Sequence, residues 1–600
     1  MIMTYKKINQ VLDVCIVTYN PDLLVLEKIV QKCIFLNEIC NGQTNFLIFD
    51  NSELTQINQI ETILKKYIPV NFIITLRGNK NIGFGSAINE LIRDRGAKNT
   101  LVLNQDAIPI GDALKRAIQI LNISDKSVAA WEFRQFPFEH PKVYNPVTLE
   151  AEWISGAAFI IRKKAFLECG GFEKKFFMYA EDVDLSFKLK ANGYKLRYMP
   201  DCQVLHYPFT EAGSIKPLQA IEGRLNNLLL RVKYGSWLDV LNGFFYYLVE
   251  LPVRVYKKES TQLLNTLYRF LSNLYFFRKS GKDLRYNLTV QFQGWNFCFH
   301  RIGANFRSVE IFSSHRELPL VSIIIRTQKR EELLSQAIQT IRNQTYPSIE
   351  IVVVQDGEAC SEYIVNYHKS EGANIIYQAT GKVLGRSRAG NLGLSLARGE
   401  WIGFLDDDDQ LFADHIETLI SSVIDRKEFV CYGFGIEARA DIKNLVKPEY
   451  KEYLLQNKYT QNFSRVLLWY KNYLPIQSVI FHRFLYEQLG GFDESLDYYE
   501  DWNLWVKYST ITDFVSIEKS TSKYRVPENN FISSSRKRIF RAAYKDAQKK
   551  QTWHLYGVSP INFRDMITEY LKYRSIIYIT KESIIEILEK IKSKFASLGD

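Results

Sequence analysis

The sequence predicts an α/β protein built from two tandem copies of one open-sheet fold. The first observation is an internal repeat, because four short motifs of the N-terminal half recur in the same order about 300 residues later. The second is an alternation of short apolar runs with helix-like segments such as "LLVLEKIVQKCIFLNEI" and "ELLSQAIQTIRNQT". The third is that the apolar runs end in Thr or Asp, as buried parallel strands do where they reach a binding site.

Four pairs of residues measure the repeat. The pairs and their separations are Thr18 with Thr327 (309), Asp50 with Asp356 (306), Asp106 with Asp408 (302) and Asp182 with Asp501 (319). The small drift indicates two copies of one domain, and the period is far too long for a solenoid. Ligands of open α/β sheets bind at the carboxyl ends of the strands, so the repeated acids are expected to line two binding sites.

The stretch "WIGFLDDDDQLF" (401–412) delivers four consecutive carboxylates to the tip of a strand. On strand alternation Asp406 and Asp408 face the same way. Clustered oxygens favour a hard divalent cation, and Mg²⁺ typically takes one or two carboxylates together with substrate phosphates. This pattern predicts a metal carrying a diphosphate; the alternative is a solvated acidic turn.

Two acidic pairs, Glu181–Asp182 and Glu500–Asp501, each follow a "GGF" motif by about ten residues, at a predicted helix start. Adjacent carboxyl groups raise the pKa of one of them, which suits a general base. A helix N-terminus acts in the opposite direction by favouring the charged form. The alternative interpretation is that each pair only caps its helix.

The region 218–317 is basic and aromatic. It holds 14 Lys and Arg against 7 Asp and Glu, with segments such as "LLNTLYRFLSNLYFFRKSGK". This composition favours contact with an anionic membrane surface, although a pair of core helices joining two domains is an equal alternative. Nucleic acid is a poorer partner because bulky apolar residues crowd the charges. No run of 18 apolar residues predicts a spanning helix, no signal peptide is evident, and the eight scattered cysteines indicate a reducing compartment.

The motifs together resemble the family 2 glycosyltransferases of the GT-A fold. The first half is similar to the rhamnosyltransferase-type branch through "VTYNPD", "NKNIGFGSAIN", "LNQDAIP" and "GGFEKKFFMYAEDVDLSFKL". The second half is similar to the generic branch through "VSIIIRTQKR", "GRSRAGNLGLSLARGEWIGFLDDDD" and "GGFDESLDYYEDWNLW". The implied organisation is a Rossmann-like GT-A domain over 1–217, a helical connector over 218–318, a second GT-A domain over 319–530 and a helical region over 531–600.

The resemblance implies a role for each matched residue. The roles are nucleotide binding for Thr18, Asn20, Asp50, Thr327 and Asp356, diphosphate binding for Arg388 and Asn391, metal binding for Asp106, Asp406 and Asp408, and general-base catalysis for Asp182 and Asp501. His206 is expected near the metal or diphosphate, or else as a buried structural histidine. The first copy departs from the DxD pattern, since Asn104 replaces its first Asp and removes one charge.

The resemblance implies a metal-dependent bifunctional enzyme. It would transfer sugars, with inversion in each copy, from dTDP- or UDP-linked donors with Mg²⁺ or Mn²⁺. The acceptor would be a bacterial O-antigen or capsule glycan on a lipid carrier, at the inner face of the cell membrane. One alternative has a single active domain and a degenerate binding module. Another is a sugar nucleotidyltransferase, which usually carries a Gly-rich basic loop near its first strand that neither copy shows.

Overall fold

A computed structural model describes residues 12–574, apart from 40–43, 54–55, 78–79, 94–96, 208–216, 257–259, 310–316, 443–449, 552–553, 555 and 558–559. The chain divides into two compact units, Met1–Glu310 and Ile311–Asp600. Each unit contains one mixed sheet flanked by helices. Residues 575–600, at the end of the predicted C-terminal helical region, lie outside the described part.

The first unit contains an eight-stranded sheet in the order β3-β2-β1-β4-β7-β6-β8-β5. Its strands are β1 (Leu12–Thr18), β2 (Phe46–Asp50), β3 (Ile73–Arg77), β4 (Asn99–Asn104), β5 (Ile108–Pro109), β6 (Val128–Pro137), β7 (Ala158–Arg162) and β8 (Lys195–His206). Its helices are α1 (Leu23–Ile39), α2 (Ile57–Tyr67), α3 (Phe84–Ile92), α4 (Ala113–Ile123), α5 (Lys163–Glu168), α6 (Glu181–Ala191), α7 (Pro217–Tyr234), α8 (Trp237–Tyr256), α9 (Ser260–Ser280) and α10 (Leu284–Asn287).

The second unit repeats this topology in the order β11-β10-β9-β12-β16-β14-β17-β13, with β15 added beside β14. Its strands are β9 (Val321–Thr327), β10 (Ile349–Gln355), β11 (Ile375–Ala379), β12 (Trp401–Asp406), β13 (Gln410–Leu411), β14 (Val430–Ile442), β15 (Tyr450–Tyr459), β16 (Val479–His482) and β17 (Phe514–Pro527). Its helices are α11 (Glu331–Arg342), α12 (Glu362–Ser370), α13 (Arg386–Leu396), α14 (His415–Val423), α15 (Arg465–Tyr470), α16 (Arg483–Leu489), α17 (Glu500–Tyr508), α18 (Asn530–Gln551) and α19 (Pro560–Arg574). The predicted pair of copies with one α/β fold is confirmed.

The central strands are parallel and buried on both faces, which explains their unbroken apolar sequences. In both copies the first strand pairs in parallel with the second and with the fourth. Their carboxyl ends therefore meet at one edge of each sheet. A glycine of left-handed conformation precedes the helix that follows the third strand in each copy, Gly83 at φ 82° and Gly385 at φ 93°. A Cβ atom on Gly83 would lie 2.2 Å from the Phe177 carbonyl oxygen.

Helices α7 to α10 lie in the first unit and share an apolar cluster with α6, which includes Trp153, Phe187, Leu228 and Phe277. Lys233 of α7 forms a buried ion pair with Asp184 of α6 at 2.5 Å. The four-segment division of the chain, including a connector over 218–318, stays a prediction. Within the described residues, none of the helices combines the length and apolarity needed to cross a membrane.

Candidate functional sites at the strand ends

The tips of β1 and β2 in the first copy are joined by buried hydrogen bonds. Thr18 Oγ1 donates to Asp50 Oδ1 at 3.0 Å, and both side chains are inaccessible to solvent. Asp50 also accepts hydrogen bonds from the backbone and hydroxyl of Ser52 at 3.1 and 2.6 Å. The backbone of the exposed Asn20 donates to Ser52 Oγ at 2.7 Å. Three of the predicted nucleotide-binding residues therefore lie together, with Thr18 and Asp50 shaping the loop from beneath.

Asp106 follows β4 and lies beside the end of β8. Its Oδ1 is 3.6 Å from His206 Nε2, and its side chain is 55% exposed. His206 Nδ1 lies 2.9 Å from Gln135 Oε1 and donates to it, so that Nε2 is the nitrogen that faces Asp106. The preceding residue, Gln105, exchanges two hydrogen bonds with the Tyr19 backbone at 2.7 and 3.1 Å. These contacts fix the position of the Asp106 backbone.

Asp182 lies in the first turn of α6, close to the end of β4. Its Oδ2 accepts a hydrogen bond from the Gly156 amide at 2.8 Å, and the neighbouring Ala157 carbonyl accepts one from the Asn104 amide at 2.8 Å. Burial raises the pKa of Asp182 despite the Gly156 and Val183 amide donors. Burial and the charge of Asp182 raise the pKa of Glu181 to about 8. The pair therefore retains a proton near neutral pH.

A buried ion pair lies beside Asp182. Glu132 on β6 forms an ion pair with Lys142, and both side chains are at most 3% exposed. Burial raises the pKa of Glu132 to about 7, and the charge of Asp182 contributes to the increase. Lys142 in turn acts to lower the pKa of Asp182. The Glu132–Lys142 pair therefore modulates the protonation of the predicted base.

Arginine residues contact the run of four carboxylates that begins at the last residue of β12. Arg330 Nη1 donates to Asp407 Oδ1 at 2.9 Å and to Asp408 Oδ2 at 3.0 Å. Asp407 also accepts a hydrogen bond from Thr327 Oγ1 at 2.8 Å, and burial raises its pKa to about 7. Asp409 accepts the Arg525 amide at 3.0 Å, and its other oxygen is buried without a partner. Positive side chains therefore offset much of the repulsion in this acidic run.

Arg326 crosses from β9 to the predicted base helix. Its guanidinium donates to Asp406 Oδ1 at 2.7 and 3.1 Å and to Glu500 Oε1 at 3.0 Å. Its side chain is 6% exposed. Burial would raise the pKa of Asp406, but Arg326 and Arg386 outweigh burial and the pKa falls below its usual value. The strand register places Val17 of the first copy at the Arg326 position, because Val17 pairs with Asn104 as Arg326 pairs with Asp406.

Asp501 occupies the position in α17 that Asp182 occupies in α6. It accepts hydrogen bonds from Asn472 Nδ2 at 3.1 Å and from the Trp502 amide at 2.7 Å. Burial, followed by the charge of Glu500, raises the pKa of Asp501 to about 7. The preceding Tyr499 is left-handed at φ 61°, as Ala180 is at φ 68° before α6. Such backbone conformations are costly for non-glycine residues, and they concentrate at functional sites.

The predicted pairing of Asp50 with Asp356 is wrong by one residue. In the sheets, Thr18 pairs with Asp50 whereas Thr327 pairs with Gln355. Asp356 instead corresponds to Asn51, because the two make the same contacts. Asp356 accepts amide hydrogen bonds from Leu384 at 2.7 Å and Gly385 at 3.1 Å, while Asn51 accepts one from Ile82 at 3.1 Å. An Asp follows each strand in the sequence, but only the strand pairing shows which positions are equivalent.

Asn391 and Arg388 contact the "GGF" loop that precedes α17. Asn391 accepts the Phe492 amide at 2.8 Å and donates to the Phe492 carbonyl at 3.1 Å. Arg388 Nε donates to Glu494 at 3.2 Å. Asn89 makes the same pair of hydrogen bonds with Phe172, each at 2.9 Å. Asn391 therefore holds this loop through a pair of hydrogen bonds, the Asn latch, that both copies share. The diphosphate-binding role of Arg388 and Asn391 stays a prediction.

Comparison with known proteins finds two family matches. The family described as "Glycosyl transferase family 2" matches residues 322–488, and "Glycosyl transferase family group 2" matches residues 143–216. One match falls in each repeat. The chain is a glycosyltransferase, and its second repeat matches family 2.

Two relatives and one solved structure are examples of the similarity. An uncharacterized glycosyltransferase of Methanocaldococcus jannaschii is 25% identical over 286 residues, which cover 46% of this enzyme and 94% of the relative. A Mycobacterium tuberculosis N-acetylglucosaminyl-diphospho-decaprenol L-rhamnosyltransferase is 41% identical over 61 residues, 10% of this chain and 20% of the relative. Among solved structures, Staphylococcus aureus TarS with UDP gives a TM-score of 0.33 at 14% identity, covering 42% of this chain and 71% of that one.

The side chains of this glycosyltransferase fit a divalent cation differently in its two copies. In the first copy, the facing Asp106 oxygen and His206 nitrogen are two ligands of types that first-row divalent cations accept. In the second copy, Asp406 and Asp408 are already paired with guanidinium groups and do not fit a shared cation as arranged. No group of three or more His, Cys, Asp or Glu side chains within the described ranges forms a metal site.

Sequence reasoning missed several residues of this glycosyltransferase site. Glu132 and Lys142 gave no signal because they lie outside every motif and meet only through the fold. Arg326 carried a signal, since it stands inside an apolar strand directly before Thr327. Its charge in that position required a buried partner. Arg386 lies in the motif that contains Arg388, and it approaches Glu500 at 3.7 Å.

Proposed function

We propose that the chain is a bifunctional glycosyltransferase in which each copy transfers one sugar from a nucleoside-diphospho-sugar to a growing bacterial surface polysaccharide. One observation carries the proposal. Both copies bury a carboxyl group of raised pKa, Asp182 or Asp501, at a helix start beside the acidic end of the fourth strand. A donor diphosphate at the strand end would lie next to a base able to activate an acceptor.

The chemistry of each copy follows from that base. The acceptor hydroxyl attacks the anomeric carbon from the face opposite the leaving nucleoside diphosphate, and the C–O bond to the diphosphate breaks with inversion. Asp182 or Asp501 takes the hydroxyl proton as the new bond forms. Because the pKa of Asp501 is about 7, its carboxylate is populated at neutral pH and is a stronger base than an ordinary Asp. Base assistance of this kind contributes roughly 10²- to 10⁴-fold to the rate.

In the first copy, we assign Asp106 and His206 to hold Mg²⁺ or Mn²⁺. Such a cation supplies positive charge that stabilises the leaving diphosphate. Gln135 orients the imidazole through its hydrogen bond to Nδ1, so that Nε2 faces the carboxylate. Thr18, Asn20 and Asp50 shape the adjoining nucleotide pocket from the ends of the first two strands.

In the second copy, we infer that arginine supplies much of this positive charge. Arg330 and Arg386 are about half exposed at the acidic strand end, with 48% and 49% of their side-chain surface accessible. Arg326 neutralises Asp406 from beneath. A cation at Asp408, the remaining predicted ligand, would have to displace Arg330. Thr327 and Asp356 stay the proposed nucleotide contacts of this copy.

The acceptor is proposed to be a glycan on a lipid diphosphate carrier at the inner face of the cell membrane. Support comes from the short match to a relative named for L-rhamnosyl transfer onto an N-acetylglucosaminyl-diphospho-decaprenol. A dTDP- or UDP-linked donor follows from the same resemblance, with a rhamnosyl donor for the first copy.

The test compares the full chain with Asp182→Asn and Asp501→Asn variants. Each is given a panel of nucleotide-sugars, with Mg²⁺ or Mn²⁺, and a short lipid-linked glycan. We expect the parent to consume two donors and each variant to lose one linkage by at least 100-fold. Asn has nearly the same side-chain volume as Asp. An unchanged circular dichroism spectrum would therefore show that the lost linkage does not result from loss of folding. If one variant retains both linkages, that copy is a binding module. Release of pyrophosphate from a nucleoside triphosphate would indicate a nucleotidyltransferase instead.

A further inference from the structure

Helix α8 is apolar on the side that faces solvent. Between its first residue and residue 249 the only charged side chain is Asp239, which accepts hydrogen bonds from Ser236. The inner side buries Val240 and Tyr247 against the rest of the first unit. The outer side exposes large apolar residues at helical spacing, namely Trp237, Leu238, Leu241, Phe245, Leu248 and Val249, each at least 44% accessible. A helix that is apolar all round is normally buried or in contact with lipid.

Helix α9 extends this surface. It exposes Leu264, Tyr268, Leu271 and Tyr275, at intervals of four, three and four residues, each at least 60% accessible. Its inner face buries Phe270 and Phe277 in the cluster shared with α6 and α7. Two adjoining helices of one unit therefore present apolar stripes outward. Exposed apolar patches rimmed by polar residues usually mark interaction sites.

A basic cluster borders the stripes where α9 ends. An open groove of about 570 Å³ is lined by Tyr275, Arg278, Lys279, Lys282, Arg285 and Tyr286. Arg278 also stacks over the Trp237 ring at 4.5 Å, which joins the end of α9 to the start of α8. Arg278 and Arg285 donate to backbone carbonyls at the end of α7, whereas Lys279 and Lys282 are exposed. Asp283 is the sole acidic residue between positions 278 and 286.

We propose that helices α8 and α9 form a membrane-docking surface for anionic phospholipid. Apolar residues would enter the boundary between headgroups and acyl chains, and Lys279 and Lys282 would meet lipid phosphates. Charge decides between lipid and a second copy of the chain as the occupant. A two-fold contact would bring the basic clusters of two copies together, and each cluster holds a single acid, Asp283, within residues 278–286. Aromatic, aliphatic and lysine side chains together are the composition of interfacial membrane helices.

Through helix α7, this surface is connected to the segment that contains Asp182. Asn226 of α7 donates hydrogen bonds to the Met178 and Tyr179 carbonyls at 2.9 and 2.7 Å, in the loop that leads to Asp182. Lys233 of α7 pairs with Asp184, two residues beyond Asp182. A lipid-linked acceptor held at the membrane would thus be presented to the same unit that carries the proposed base. This consequence rests on the proposed function, whereas lipid binding itself does not.

The test measures sedimentation of the full chain with vesicles of phosphatidylcholine alone or with one-third phosphatidylglycerol, at low and high salt. We expect binding to the anionic vesicles that weakens at high salt. A Lys279→Gln/Lys282→Gln variant should bind roughly 30-fold more weakly, since each lysine near an anionic surface contributes about a factor of five. The control, Lys126→Gln/Lys164→Gln, removes two exposed charges elsewhere on the same unit and should bind as the parent does.

A second variant, Leu241→Gln/Phe245→Gln, tests the apolar stripe and should lose binding to the anionic vesicles even at low salt. Failure of the parent to bind anionic vesicles at low salt overturns the proposal. So does a stable dimer in light scattering that this variant dissociates, because the stripe would then be covered by a second copy. Donor consumption in the presence of the short lipid-linked glycan acceptor is measured on the same preparations. Vesicle binding without donor consumption would contradict the proposed function while leaving the membrane surface intact.

Discussion

Arg326 and Asp406 form an ion pair at 2.7 Å that joins the first and fourth strands of the second sheet, with Arg326 6% and Asp406 26% exposed. The same positions in the first sheet hold the uncharged pair Val17 and Asn104. Both arrangements avoid an unpaired buried charge at the strand end. One does so by omitting both charges, and the other by including both. The two strand-end sites therefore share a strand topology and differ in electrostatics.

Replacing Arg326 with Val should destabilise the second unit. The change leaves Asp406 and Glu500 without their shared guanidinium, and removing one partner of a buried ion pair costs about 3–5 kcal/mol. The variant Arg326→Val/Asp406→Asn recreates the Val17–Asn104 pair of the first copy and should recover part of that loss, because Glu500 then keeps only Arg386. Urea denaturation of the full chain measures both. Equal stability of the single variant and the parent would contradict this account.

Mn²⁺ should bind more tightly to the first copy than to the second. Asp106→Asn and His206→Ala each remove one of two proposed ligands, so either should lower Mn²⁺ affinity at least tenfold. Asp408→Asn should have little effect, because Arg330 already neutralises Asp408. Electron paramagnetic resonance of free Mn²⁺, titrated with the full chain and a nucleoside diphosphate, reports affinity without turnover. An affinity that depends on Asp408 rather than Asp106 would reverse the assignment.

The rate at which the second copy forms its linkage should increase as the pH rises through about 7. Burial raises the pKa of Asp501 to about 7, and only its deprotonated form accepts a proton from the acceptor. The measurement is initial rate of the linkage that Asp501→Asn abolishes, between pH 5.5 and 8.5. A rate that is flat across this range contradicts Asp501 as the base.

The raised pKa of Asp501 also predicts that folding stability falls as the pH rises, although the reaction rate increases. A carboxyl whose pKa is raised by folding stabilises the folded state only while protonated, so its contribution is lost as pH rises from the unfolded value toward 7. Asp501→Asn removes this penalty. The variant should be more stable than the parent by roughly 1–3 kcal/mol at pH 8 and nearly equal at pH 4. Urea denaturation at the two pH values compares them.

Asn391→Ala and Asn89→Ala should each lower stability. Each substitution leaves the Phe492 or Phe172 backbone without its side-chain partners, at a cost of about 1–3 kcal/mol. The two variants serve as matched controls because the latch is the same in both copies. Denaturation midpoint and donor KM are measured together. A raised donor KM with unchanged stability for Asn391→Ala would instead support its predicted contact with the diphosphate.

Much of the architecture was predictable because it depends on local pattern. Apolar runs such as "LDVCIVT" and "VSIIIRT" predict buried parallel strands, and their repeated order predicts two copies of one topology. Acids at strand and helix ends indicated where the sites lie. The equivalence of Asp50 and Asp356 failed because motif spacing tolerates a shift of one residue, whereas hydrogen-bonded strand pairing does not.

The sequence by itself determined the two-copy α/β fold, the acidic strand ends and the paired acids at the two helix starts, because periodicity and local charge are properties of neighbouring residues. Only the tertiary structure decided that Arg326 and Arg330 pair with three of the four carboxylates, that His206 faces Asp106, that Asn391 binds a loop, and that α8 and α9 turn their apolar sides outward. Each of these depends on contacts between residues distant along the chain. Charge balance and solvent exposure arise from those contacts, and no local pattern encodes them.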